Sequence, residues 1–425
     1  MKIIREAQRC QRARMRGPYD LRPPIAFLRG PWLVLGILLL LSLRTIFTSG
    51  VAAASKGGAG PPTFDLDAVP EVDRSRRGVP LDEVVFDTFD GGFVRLSGAP
   101  KGLIRSLRDA IRPIYAPTYS KPGGVRSLPW LRDDDLIIGF APQAGAYAYP
   151  LKILNYREIV NDAIGGVPVL VSYCPLCGSG VVFSRRLDGR TLLFGNTSAL
   201  YHSDLVMYDH QTGSYWFQVG GEAIVGRLTG RRLRVLPSMT MPWREWKRHY
   251  PNTRLLVGEG GKVFGTRYAS DPFQGYGRRL DEGRFVFPVS REKLDGRLRA
   301  AEIVITAEVN SAKKAYPVRL IGERAVNDRV GGQPVVIFSL GFTGAAYLAT
   351  VSDRTLTFQF RQGRFGDQET GSAWNYAGRA VAGKLRGTRL IPVPSRRAFW
   401  FSVARMLPAL ELYHPSLTPE RESGQ

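Results

Sequence analysis

Two cysteines three positions apart carry the most distinctive chemistry in this chain. Cys174, Pro175, Leu176, Cys177 and Gly178 form a C-P-x-C-G stretch, with Tyr173 just before it. This spacing lets both sulfurs approach one point from a single tight turn. Proline presets the turn, and glycine lets backbone N–H groups swing toward the sulfurs, which is the shape of a metal knuckle. A thioredoxin-type site would instead place its first cysteine at a helix N-terminus, where the dipole lowers the thiol pKa. Here GSGVVFSRR follows, a glycine-broken strand and a poor helix. The knuckle reading fits better locally. Three readings stay open: a soft-metal site, a redox-active or reversible disulfide, and an inert structural pair.

A tetrahedral ion needs about four ligands, and one C-x-x-C supplies two. Cys10, the third cysteine, lies across an apolar segment from the pair and does not contribute. The strip LYHSDLVMYDH offers His202, Met207 and His210 as further ligands, and His249 follows later. Thiolate with thioether suits Cu(I), and thiolate with imidazole suits zinc. The competing readings are ordinary ones, surface or hydrogen-bonded histidines and a core methionine. Pro175, Gly178, Tyr173 and Asp209 are expected to support the site. Asp209, Thr212, Gly213 and Ser214 read as a hydrogen-bonded turn beside a buried Trp216. Other chemistries fare worse, because the chain has no H-E-x-x-H and no G-x-x-x-x-G-K-[ST]. Glu158, Asp204, Asp209 and Glu222 could pair for hydrolysis, but sequence does not set two of them across a bond.

The elements that hold these residues occur twice. AYP ending at Pro150 matches AYP ending at Pro317, and then IVND and IGGVPVLVSY (ending at Tyr173) match AVND and VGGQPVVIFS at an offset of 166. DHQTGSYW matches DQETGSAW at 158, and Gly226, Leu233, Pro237 and Trp243 match Gly383, Leu390, Pro394 and Trp400 at 157. Cys174 and Cys177 fall on Leu340 and Thr343, so only the first copy keeps thiols. Each copy reads as a short helix stopped by Gly-Gly, a β-branched strand, several short strands, and a helix at Trp243 or Trp400. Asn161 and Asp162 are expected to cap or turn the chain at the helix end. The fold class expected is mainly β with a few short helices (α+β), an internally duplicated domain. The copies are expected to pack about a pseudo-twofold axis, with independent side-by-side domains as the alternative. Boundaries follow: 1–54 basic N-terminus plus signal peptide or membrane anchor, 55–113 linker and extension, 114–255 first repeat, 256–284 Gly-rich connector, 285–412 degenerate second repeat, and 413–425 tail. Within the extension, DTFDGGF predicts a hairpin turn and KGLIRSLRDAI a short amphipathic helix over 101–111.

The 425 residues are 44% apolar and carry a formal charge of +22, so a wholly disordered polyelectrolyte is excluded. No helix-turn-helix, zinc-finger array or stacked aromatic motif accompanies that charge, and no nucleic-acid partner is expected. Residues 1–31 hold eight basic against two acidic side chains, and WLVLGILLLLSL follows from Trp32 to Leu43. Twelve residues are short of the ~20 that span a bilayer. Basic head, apolar middle and the small residues Ala52–Ala54 fit an export signal, or an uncleaved anchor with Arg44 reaching the interface. Everything after about residue 55 is then expected outside the cytoplasm. It would be membrane-anchored and face the periplasm or exterior, or secreted if the signal is cleaved.

AYPLKILNYREIVND, IGGVPVLVSYCPLCGSGVVF, SDLVMYD, TGSYWFQ and WREWKRHYP together resemble the domain of unknown function 3179 family of bacteria and archaea. The resemblance is strong over 114–255 and degenerate over 285–410. It implies export or membrane tethering and points to Cys174 and Cys177 as the candidate site, without implying a reaction. Met207 and Asp209 lie within the family pattern; His202 stands where asparagine is usual. The expectation is a cell-envelope protein with a Cu or Zn thiolate site. The alternatives are a thiol–disulfide redox protein and a non-catalytic envelope scaffold. Partners expected are the membrane and a redox or metal-delivery protein.

Overall fold

The computed structural model describes residues 64–415, apart from 122–123, 125–127, 288, 290–293 and 408. The expected signal or anchor of 1–54 and most of the C-terminal tail lie outside the described residues. Among the described residues no helix is long and apolar enough to cross a membrane.

Strands dominate, and none of the α-helices described exceeds seven residues. β-Branched and aromatic runs such as VPVLVSYC favour the pleated, buried surface of a sheet. The strand Val167–Cys174 is buried over its last six residues. The expected hairpin at Asp90–Gly92 joins Val84–Asp87 to Phe93–Arg95, with Asp87 opposite Phe93. The amphipathic helix is shorter than expected, Lys101–Leu107, and buries Ile104 and Leu107. Short helices do start at Trp243 and Trp400.

One local expectation is corrected. Asn161 and Asp162 do not cap a helix, for the helix Leu151–Arg157 ends at Glu158, whose φ is +56°. The β-branched residues after it start the strand Ile159–Ile164. Gly165 and Gly166 then turn that strand back onto Val167–Cys174 instead of stopping a helix. Asn161 bonds both backbone groups of Phe194 at 2.8 Å. Asp162 accepts hydrogen bonds from the hydroxyls of Tyr149 and Tyr119.

The two halves share a strand order. In the N-terminal half, Met239–Pro242, Leu136–Phe140 and Tyr147–Pro150 pair antiparallel, and Arg254–Glu259 adds in parallel. In the C-terminal half Ser395–Phe399, Ile303–Val309 and Ala312–Pro317 pair likewise, with Leu410–Leu412 in parallel. Asn327 bridges Phe358 with the same two 2.8 Å bonds as Asn161 and Phe194. Asp209 accepts from Thr212 and the indole of Trp216, and Asp367 does the same with Thr370 and Trp374. The halves also share cores: Ile137, Trp246 and Leu255 pack with Phe338, Phe358 and Trp374. Phe401, from the C-terminal half, packs into the core that holds both cysteines.

Candidate functional site

The first element of the site is a hairpin. Val167–Cys174 pairs with Ser179–Ser184, and Cys174 stands opposite Ser179. The loop between them is Pro175–Gly178. Its turn is closed by the N–H of Cys177 donating to the Cys174 carbonyl at 3.2 Å. Gly178 sits at φ +60°, and a Cβ there would meet the Phe399 ring at 3.0 Å. The Phe399 N–H donates to the Cys177 carbonyl at 2.8 Å, so the C-terminal half clamps this loop.

A second hairpin brings the third group. Phe194–Tyr201 pairs with Asp204–Asp209 through a two-residue turn, His202 and Ser203, at φ +49° and +67°. The Ser203 carbonyl accepts from the Cys177 thiol at 3.3 Å and faces Cys174 Sγ at 3.7 Å. Asp204 follows at once. Its Oδ2 accepts from the Val219 N–H at 2.8 Å. Its Oδ1 is buried with no hydrogen-bond partner. The ligand atoms of Cys174, Cys177 and Asp204 lie within 4.8 Å of one another, and all three residues are buried. Both thiols are free.

Burial decides the charge state of this group. It pushes both thiols up, Cys177 most strongly. Asp204 is driven up to about 7, because burial outweighs the Val219 N–H and the two thiols that favour its anion. Burial thus disfavours the charged form of all three groups, and a bound cation would offset that cost. Ligand atoms around one tetrahedral zinc, bonded at about 2.3 Å to sulfur and 2.0–2.2 Å to oxygen, lie about 3.5–4 Å apart; here they lie within 4.8 Å of one another.

Met207 is fully buried in the core that contains both cysteines. The histidines are elsewhere. His202 Nε2 lies 3.1 Å from Glu83 Oε2, and His210 Nε2 lies 3.0 Å from the Tyr115 hydroxyl. Neither belongs to the cluster of the two thiols and Asp204. Tyr173 points into the opposite core, with Tyr149 and Val171, as strand alternation requires. Asp209 is satisfied by Thr212 and Trp216, in a turn that the C-terminal half repeats without thiols.

Asp204 enters the site because its hairpin is long. Phe194 to Asp209 spans six residues more than Phe358 to Asp367, the stretch with the matching asparagine bridge and Asp-Thr-Trp bonds. In the sequence the falling offset between the matched stretches, from 166 to 158, marked that extra chain. It did not tell which residue at the tip would reach the sulfurs.

The protein-family model for DUF3179, a protein of unknown function, matches residues 108–409. The chain belongs to this family. The match takes in Cys174, Cys177 and Asp204 and most of the C-terminal half. No curated protein and no solved structure matches the chain.

Proposed function

We propose that Cys174, Cys177 and Asp204 bind a single soft metal ion, zinc or Cu(I). The observation that carries this reading is the convergence of the Asp204 carboxyl on two buried free thiols, their ligand atoms within 4.8 Å of one another. Burying a carboxylate without a cation is costly, and a metal ion would remove that cost. Two thiolates and a carboxylate suit zinc with a fourth position open; Met207 in place of that opening would favour Cu(I). Thiols raised by burial argue against a nucleophilic redox pair, which needs a lowered pKa.

The reading places this site in an exported, membrane-tethered protein, supported by the basic stretch and apolar run of residues 1–43. It takes the molecule as a duplicated scaffold whose second copy supports the first, supported by the recurring strand order and the paired Asn and Asp-Thr-Trp bonds. Its partner would be a metal-delivery protein.

Elemental analysis after chelator-free purification, followed by zinc and Cu(I) titration, tests the site. One ion per chain is expected. Cys174→Ser and Cys177→Ser should abolish binding, and Asp204→Asn should weaken it at least about tenfold. Failure of the intact, reduced protein to take up either metal overturns the reading. A reversible dithiol potential in that metal-free protein would point to the redox alternative instead.

A further inference from the structure

Two pockets lie at matching places where the halves meet, and their linings differ in charge. The first, of about 620 Å³, is walled by Glu222, Arg232 and Arg234 of the N-terminal half and by Glu308, Lys313 and Arg396 of the C-terminal half. The second, of about 320 Å³, is walled by Ala141 and Met239 of the N-terminal half and by Arg389 and Ile391 of the C-terminal half. Strand register sets the correspondence. Arg396 stands opposite Thr306 as Met239 stands opposite Gly139. The bridge between Glu222 and Arg232 recurs between Arg379 and Arg389. Arg234 therefore takes the place of Ile391, Arg396 that of Met239, and Glu308 that of Ala141.

Among the described residues, Arg389 is the single charged side chain that lines the second pocket. The first has five basic side chains, the fifth being Arg405, against two acids. The overall charge of +22 does not explain this contrast, because both pockets belong to the same chain. Both acids are already matched. Glu222 pairs with Arg232 at 2.5 Å. Glu308 pairs with Arg396 at 3.0 Å and lies 3.8 Å from Lys313. Arg234 has no side-chain hydrogen bond or ion pair among the described residues. Arg396 is 3% exposed, and it is anchored through Nε to the Val219 carbonyl and through Nη1 to Glu308. Its Nη2 makes no hydrogen bond among the described residues. A buried guanidinium with a free nitrogen at a pocket wall is a preorganised anion donor. Tyr201, Phe217 and Leu407 add an apolar surface beside these charges.

We propose that this pocket binds a phosphate monoester that carries a small apolar group. The phosphate would accept from Arg396 on one wall and Arg234 on the other, with Lys313 and Arg405 adding favourable charge. Guanidinium groups match phosphate oxygens in fork geometry, and a dianion uses more of the excess positive charge than a carboxylate does. The apolar group would lie against Tyr201, Phe217 and Leu407. The volume suits a small ligand. The ester could be a free small molecule or the headgroup of a phosphatidic acid; the recognising chemistry is the same. The proposal does not rest on the metal reading.

Phenyl phosphate, inorganic phosphate and benzoate are the probes, titrated into the full-length protein by calorimetry. Phenyl phosphate is expected to bind at least about tenfold more tightly than either of the others, and more weakly as salt rises. Arg234→Ile, which copies the second pocket at an exposed position, should weaken it at least about tenfold. Lys313→Ala should weaken it less. Arg389→Ala, in the second pocket, should leave it unchanged, and so should Cys174→Ser. Co-sedimentation with phosphatidylcholine vesicles, with and without phosphatidic acid, separates the two sources. Arg234-dependent capture by the phosphatidic acid vesicles assigns the lipid headgroup; its absence, with phenyl phosphate still bound, assigns a soluble ester. No binding of phenyl phosphate, equal binding of benzoate, or binding unaffected by both Arg234→Ile and Lys313→Ala overturns the proposal. An acidic peptide that binds through Arg234 where phenyl phosphate does not would also overturn it. Loss of metal in Cys174→Ser with phenyl phosphate still bound keeps the two sites separate.

Discussion

Arg396 Nε donates to the carbonyl of Val219 at 2.8 Å, and the N–H of that same Val219 holds Asp204 Oδ2 at 2.8 Å. One peptide segment thus links a buried cation of the C-terminal half to the carboxylate beside the thiols. Arg396 also pairs with Glu308 at 3.0 Å. Arg396→Ala should lower the unfolding free energy by about 2–3 kcal/mol, because Glu308 remains and keeps part of its hydration. Metal affinity should fall too, since Val219 loses its anchor. Denaturant melts and zinc titration of the same variant check both.

The pH dependence of the metal-free protein has a worked sign. Burial raises Asp204 to about 7 and Glu158 to about 8 from ordinary carboxyl values of 3.8 and 4.5. Each contributes stability that is full below its unfolded value and is lost as pH rises through the folded value. Burial lowers His210 and His249 to about 4 from 6.5, and they gain stability as pH rises, complete above about 6.5. From pH 6.5 to 8 only the carboxylate loss continues. Stability should therefore fall across that interval. Glu158→Gln should flatten the fall, and bound zinc should flatten it further by taking the proton's place at Asp204. Urea midpoints at stepped pH values, with and without zinc, would measure this; a rise over that interval would contradict it.

Gly178→Ala tests how tightly the sulfur loop is built. The left-handed φ and the Phe399 ring at 3.0 Å from a new Cβ both oppose it. A loss of about 1–3 kcal/mol is expected from strain and overpacking together. Loosening of the Phe399–Cys177 bond should also lower metal affinity. Thermal unfolding and metal titration read the two effects.

Asp209 and Asp367 separate scaffold from site. Each accepts from a threonine and a tryptophan indole in the same pattern. Asp209→Ala and Asp367→Ala should each cost about 2–4 kcal/mol by orphaning buried donors. Neither should change the number of metal ions bound per folded chain. Loss of metal in folded Asp209→Ala would make Asp209 part of the site.

Glu158→Gly asks whether the strained cap serves structure. Glycine relieves the φ +56° conformation, a gain of about 1 kcal/mol against the lost bond to Asn196. Denaturant melts should therefore give a stability near that of the parent. A large destabilisation would mean that the Glu158–Asn196 bond holds the fold.

The sequence alone determined the mainly β class and the family, and it singled out the cysteine pair as the candidate site. These are local signals: β-branched runs, Gly-Gly turns, and a C-P-x-C-G loop whose residues must close on one another. Periodicity misplaced Asn161 and Asp162, because LKILNYR and IVND read as one helix until Glu158 adopts a positive φ. Only the tertiary structure decided the partners of the thiols. Asp204 is 27 residues beyond Cys177 and reaches it because a lengthened hairpin folds back across the Cys loop, while His202, two positions earlier, turns away to Glu83. Such an approach depends on strand register and on the turn at the hairpin tip. Neither is written in the types of the residues that meet.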